Sequence, residues 1–139
     1  MKTIVRNPDK GIYPATDDYV HGLEVQGAER MLFVSGTMGL DEKGVPGSTL
    51  DEQLELIWSN LRTILSSAGM SVDNIVRLTS YLTDPAFAEA NAHARVAALG
   101  GRVVPTTAIV VQTLESDWLV EIEIVAANAA QDGPCHRLS

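Results

Sequence analysis

Two carboxylates set in an apolar strand are the groups of this chain best placed to do chemistry. Glu121 and Glu123 interrupt the run Leu119 to Ala126, LVEIEIVA, whose other members are aliphatic. Side chains alternate across a strand, so the two glutamates share one face while Val120, Ile122 and Ile124 share the other. Against a partner surface the glutamate face would lose water, and a desolvated carboxylate suits general acid–base work. Against solvent, the same pattern is a half-buried strand with a wet polar side. The β-branched run Ala108 to Thr113 lies just upstream and opens on Pro105-Thr106-Thr107, residues that favour an edge or a bulge. The two runs read as a strand pair deep in the domain.

Other chemistries find little support. His21, His93 and His136 lack ligand spacing and a nearby carboxylate at strand or helix distance, so no metal site is expected. Ser35-Gly36 lacks the preceding glycine and the following helix of a nucleophile elbow. No phosphate loop or dinucleotide fingerprint occurs. Cys135 is the single cysteine, which leaves no internal disulfide and suits a reducing compartment.

The elements that would position the carboxylates follow from patterning. Residues 1–18 carry Pro, Gly and Asp and few apolar side chains, and are expected to lie across a surface. Tyr19 to Val25 and Arg30 to Ser35 read as a β-hairpin turning at Gly27-Ala28-Glu29. Its second strand stops at Ser35-Gly36-Thr37, where small residues mark a close backbone contact or an opening. A helix is predicted from Leu50 to Ala68 by apolar residues spaced in threes and fours, with Thr49 and Glu52 as a capping box and Gly69 beyond its end. Asn74 to Thr83 is a strand that sets Val76, Leu78, Ser80 and Leu82 against Arg77, Thr79, Tyr81 and Thr83. Asp84-Pro85 opens a second helix running to about Leu99. Two helices cover one sheet face, and a second copy of the chain is the economical cover for the other.

With 139 residues, 45% hydrophobic and 20% charged, the chain is expected to be one globular domain over residues 1–129 with a mobile tail from 130 to 139. Its net charge of −8 and scattered basic residues argue against a nucleic-acid partner. Neither a secretion signal nor a membrane-spanning run is seen, so a cytoplasmic location without membrane attachment is expected.

The chain resembles the Rid superfamily of reactive-intermediate deaminases, also called the YjgF family. The resemblance rests on Tyr19 to Gly22, Ser35-Gly36, Ala68-Gly69 with Ser71, Tyr81-Leu82-Thr83-Asp84 with Phe87 and Asn91, then Pro105 and Val120-Glu121-Ile122-Glu123. It implies a chorismate-mutase-like α+β fold, one mixed sheet with two helices on one face, and a homotrimer with ligand clefts between subunits. It also implies cofactor-free hydrolysis of a small imine or enamine, with Glu121 activating water and Tyr19, Ser35, Gly36, Thr37, Asn91, Thr106 and Thr107 lining the ligand site. The family's carboxylate-gripping arginine falls on Thr107, whose hydroxyl offers no charged fork. Arg77, Arg95 and Arg102 are the candidates to replace it. The departure keeps open a non-catalytic small-molecule binding trimer, and, less favoured, the endoribonuclease role assigned to some relatives.

Overall fold

The structure, a computed structural model, describes residues 1–130. Six strands and two helices follow one another as β1 (Lys2–Arg6), β2 (Gly22–Gln26), β3 (Arg30–Met38), α1 (Leu50–Ser67), β4 (Ile75–Leu82), α2 (Ala88–Ala98), β5 (Thr106–Val110) and β6 (Val120–Asn128). Four strands form a mixed sheet in the order β3-β6-β4-β5. β6 runs antiparallel to both β3 and β4, and β5 runs parallel to β4. Both helices therefore link strands of the same direction, as the α+β expectation requires.

The helices pack on one side of that sheet. From α1 come Leu54, Ile57, Trp58, Leu61 and Leu65, which meet Leu78, Val120, Ile122 and Ile124 in a single core. The predicted cap is present, with Thr49 Oγ1 accepting from the Glu52 amide at 3.1 Å. The reciprocal half of the box is displaced by one residue, because the Glu52 carboxylate accepts from the amide and hydroxyl of Ser48. Gly69, at φ 66°, ends the helix in the left-handed region that glycine tolerates. Asp84 caps as expected, but its first turn, Pro85–Phe87, is 3-10 and the α-helix starts at Ala88. α2 supplies mainly alanines to the core, so its packing is lighter than that of α1.

Three pairings differ from expectation. Residues 2–6 form a strand, β1, that pairs antiparallel with β2 in a separate two-stranded sheet, tied by an Arg6–Glu24 ion pair of 2.7 Å. The turn at Gly27 is real, at φ 71°, yet it redirects the chain from the small sheet into β3 rather than closing a β2–β3 hairpin. β5 and β6 are not neighbours either, since β4 lies between them. Their connection from Val111 to Leu119 is too long for a tight hairpin and instead crosses the end of β4, where Val111 N donates to Leu82 O and Thr83 N to Leu119 O. β5 is thus an edge strand with Ala108, Ile109 and Val110 exposed, not a deep one. Apart from Ala130, the expected tail lies outside the described residues, as do His136 and Cys135.

Candidate functional site

The sheet face away from the helices carries the candidate site. Glu121 and Glu123 are half-buried on it, while Val120, Ile122 and Ile124 point into the core. The strand register sets its rows. Glu121 lies opposite Met38 on β3 and Tyr81 on β4, Glu123 lies opposite Thr79, and Thr79 in turn lies opposite Thr107 on β5.

β3 does not stop at Ser35-Gly36-Thr37 but runs through it with a bulge. Between the pairs Val34–Ile124 and Thr37–Ile122 the two residues Ser35 and Gly36 face the single residue Glu123. The bulge brings the Gly36 backbone against Glu121, so closely that a Cβ at Gly36 would stand 2.5 Å from Glu121 Oε2. The small residue is the condition for that carboxylate to lie where it does. The Thr37 hydroxyl turns back to donate to Ser35 O at 3.0 Å.

A second bulge, at Val76, lets Ile75 enter the core and leaves Arg77, Thr79 and Tyr81 on the open face. The Tyr81 hydroxyl donates to Glu123 Oε1. Acceptance by that carboxylate, then loss of water, then the charges of Glu123 and Glu121 raise the Tyr81 phenol above its ordinary value. The phenol therefore stays a donor.

The three candidate arginines separate cleanly. Arg102 donates to the carbonyls of Val72 and Ile75, and burial lowers its pKa. Arg95 is buried and holds Asp18, with Nη2 at 2.8 Å from the carboxylate and Nη1 on the Asp18 carbonyl. Arg77 alone reaches the position in question, donating from Nη2 to Thr107 Oγ1 at 3.0 Å. A guanidinium thus lies beside Thr107, supplied from the neighbouring strand.

Of the remaining residues named from the sequence, Tyr19 sits at the approach to β5, where Val20 bridges to Pro105. Its ring meets His21 edge-on at 5.8 Å, and His21 meets Tyr13 in the same way at 5.0 Å. Thr106 pairs with Leu78 on the core side and donates to Val104 O. Asn91 is buried on α2, in the helix layer. Within one chain the sheet separates both from Glu121. Glu123 shares the face with Glu121 as the alternation of β6 predicts, and Tyr81 is the part of the face that the sequence does not single out as a site residue. The alternation along β4, which put Arg77, Thr79 and Tyr81 on one side, was the signal that could have found Tyr81. Among the described residues no three of His, Cys, Asp and Glu come together as a metal site.

Two helices on one side of a mixed sheet, with a polar face of paired carboxylates on the other, define an α+β protein of the YjgF/Rid kind. The chain belongs to that superfamily, for the Endoribonuclease L-PSP family matches residues 12–128. A RutC family protein of Aquifex aeolicus is 37% identical over 111 residues, covering 78% of this chain and 86% of that one. The RutC family protein YjgH of Escherichia coli is 42% identical over 55 residues, a stretch covering 40% of this chain and 42% of YjgH. The crystal structure of the Rid family protein YyfB of Yersinia pestis, described as of unknown function, superposes with a TM-score of 0.78 at 29% identity, covering 92% of this chain and all of that one.

Proposed function

We propose that the chain is a cofactor-free hydrolase that converts a small imine or enamine to a carbonyl compound and ammonia, working as a cytoplasmic homotrimer. The observation that carries this is the Glu121 carboxylate lying on the Gly36 backbone of an open sheet face. Glu121 takes a proton from water as its oxygen bonds to the C=N carbon of a protonated imine. Proton transfer to the nitrogen of the resulting carbinolamine lets the C–N bond break, leaving C=O and ammonia. Arg77, held at Thr107, keeps positive charge on the same face. The trimer is supported by apolar side chains left on that face, with Phe33 74% exposed and Ile109 45%.

Ammonia release is the test. Imines generated in place by an amino-acid oxidase from several amino acids should lose ammonia faster with the chain present, and Glu121→Gln should abolish the gain. A rate equal to buffer across the panel rejects the hydrolase. Thr107→Arg should raise turnover of 2-imino acids.

The threonine at position 107 supports a second function, a small-molecule binding trimer without turnover. Thermal stabilisation by intact keto acids or aromatic acids, with no ammonia released from any imine, would favour it. The family's endoribonuclease name transfers poorly to a chain of net charge −8. Failure to bind RNA at low and high salt alike would close that role. Among the described residues no helix is long and apolar enough to cross a membrane.

A further inference from the structure

The groove between α1 and α2 is hollow because its two walls are unequal. Leu54 and Trp58 rise from α1, whereas α2 sets against them Ala90, Ala94 and Ala98, side chains too short to fill the space between. A cavity of about 770 Å³ is left in the helix layer, within the roughly 300–1,000 Å³ of a small-ligand site. It lies on the far side of the sheet from Glu121 and from the face proposed to meet other copies of the chain. Its charges lack partners. Asp51 and Glu55, one turn apart on α1, stand towards one end of the cavity and Arg62 towards the other. Among the described residues none of the three has an ion-pair partner. Between them Trp58 lines the floor at 3% exposure, and its indole N–H has no acceptor. A buried N–H left unpaired costs free energy that an incoming acceptor restores.

We propose that this groove binds a short extended peptide with free ends, its ammonium on Asp51 and Glu55, its carboxylate on Arg62 and a backbone carbonyl on the Trp58 N–H. The helix sets the length. Glu55 and Arg62 are seven positions apart, about 10 Å at roughly 1.5 Å per residue, and Asp51 adds about 6 Å. An extended chain covers about 3.3–3.6 Å per residue, so three residues reach from Arg62 to Glu55 and five reach Asp51. A single amino acid is too short to touch both ends. Direction is set as well, because a peptide lying the other way would bring like charges together at each end. Trp58 falls between the two charged ends, where only a chain with a polar group along its middle can accept from it. The alanine wall gives aliphatic side chains room and an apolar surface, and His93 is the one polar side chain it adds. The groove does not include Glu121, so the assignment stands whether or not the chain releases ammonia.

Titration of the full chain with the tripeptide Ala-Leu-Ala, followed at the indole N–H resonances by NMR, tests it. The chain has two tryptophans, and Trp118 lies outside the groove as an internal control. The Trp58 resonance, assigned by its loss in Trp58→Phe, should shift and saturate while that of Trp118 stays. Acetylating the peptide's N-terminus or amidating its C-terminus should each weaken binding by about three- to fivefold, the range of an exposed ion pair, and both together by about tenfold or more. Glu55→Gln should reproduce the effect of acetylation and Arg62→Gln that of amidation, with ammonia release unchanged in both. By calorimetry, Trp58→Phe should weaken Ala-Leu-Ala but not 8-aminooctanoate, which has a similar reach and no carbonyl between its ends. Ala94→Leu should fill the trough and remove binding, with circular dichroism showing the variant folded. The assignment is overturned if the Trp58 resonance does not move at millimolar peptide, if the doubly capped peptide binds as well as the free one, or if folded Ala94→Leu binds unchanged.

Discussion

The Glu121 carboxylate rests on the backbone of Gly36, with no room for a side chain between them. A Cβ at position 36 would stand 2.5 Å from Oε2, well inside van der Waals contact, and the carboxylate is the part free to move. Gly36→Ala should therefore swing Glu121 off its place while costing the strand little, because alanine is the better residue for extended backbone. The expected outcome is a thermal midpoint within a few degrees of the parent, with ammonia release reduced by about tenfold or more, a large part of what a general base contributes. Equal activity in the alanine variant would show that the contact does not position the base.

The ionisation of Tyr81 should depend on Glu123. The Glu123 carboxylate accepts from the Tyr81 hydroxyl, and this holds the phenol above its ordinary value of 10.0. A folded pKa raised above the unfolded one gives stability that is fully present below pH 10 and is lost as pH rises through the folded value. Phenolate absorbance followed up the pH scale should show Tyr81 ionising above its ordinary value. Glu123→Gln should bring that transition down. A titration curve unchanged by the substitution would mean that the pair does not form in solution.

How much of this was legible in the sequence varied with how local its cause is. α1 could be read because spacing, cap and terminating glycine all lie within one stretch, and each is present in the structure. The two faces of β6 could be read for the same reason. β1 is not legible because only Ile4 of its five residues is even partly buried, so its pattern carries no burial signal. The partners of β2 and β5 are not legible because nearness in the chain suggests pairing, whereas β2 pairs with β1 and β4 lies between β5 and β6. Arg77 could be placed on the right face, but its meeting with Thr107 depends on a side-chain direction that no spacing reports. The contact of Gly36 with Glu121 depends likewise on a bulge, which a run of small residues hints at without locating.

Arg95 and Asp18 should respond unequally to substitution. The Arg95 side chain is 6% exposed and that of Asp18 38%, so the two ends of the ion pair differ in access to water. Asp18→Ala would leave a buried guanidinium short of a partner, at a cost of about 1–3 kcal/mol. Arg95→Met should cost less, because the stem is replaced in kind and Asp18 can turn to solvent. The Asp18 carboxyl is held below its ordinary range, first by the Thr16 hydroxyl and then by Arg95. A lowered folded pKa gives stability that is present above the ordinary carboxylate value and lost as pH falls through the folded one. Urea denaturation of both variants at neutral pH, and of the parent down an acid series, checks the order and the sign.

Gln53 should behave as the one-residue clasp of two loops. Its buried amide donates to Gly47 O at 3.0 Å and Asp117 O at 2.8 Å, and its carbonyl accepts from Leu119 N at 3.0 Å. Those partners lie in the loop before α1 and in the link that leads into β6, so the side chain joins the first helix to the strand carrying Glu121. Gln53→Leu keeps the volume but leaves two carbonyls and one amide without partners. Each buried orphan costs about 1–3 kcal/mol, less where water can enter as the loops part, so a loss of about 2–4 kcal/mol is expected. Gln53→Glu should be intermediate, since a carboxylate can still accept from Leu119 but faces two carbonyl oxygens that need donors. Chemical denaturation gives the order, and amide exchange should show residues 112–119 opening first in the leucine variant. Loss of stability without that local opening would mean that the amide serves the core of α1 rather than the loops.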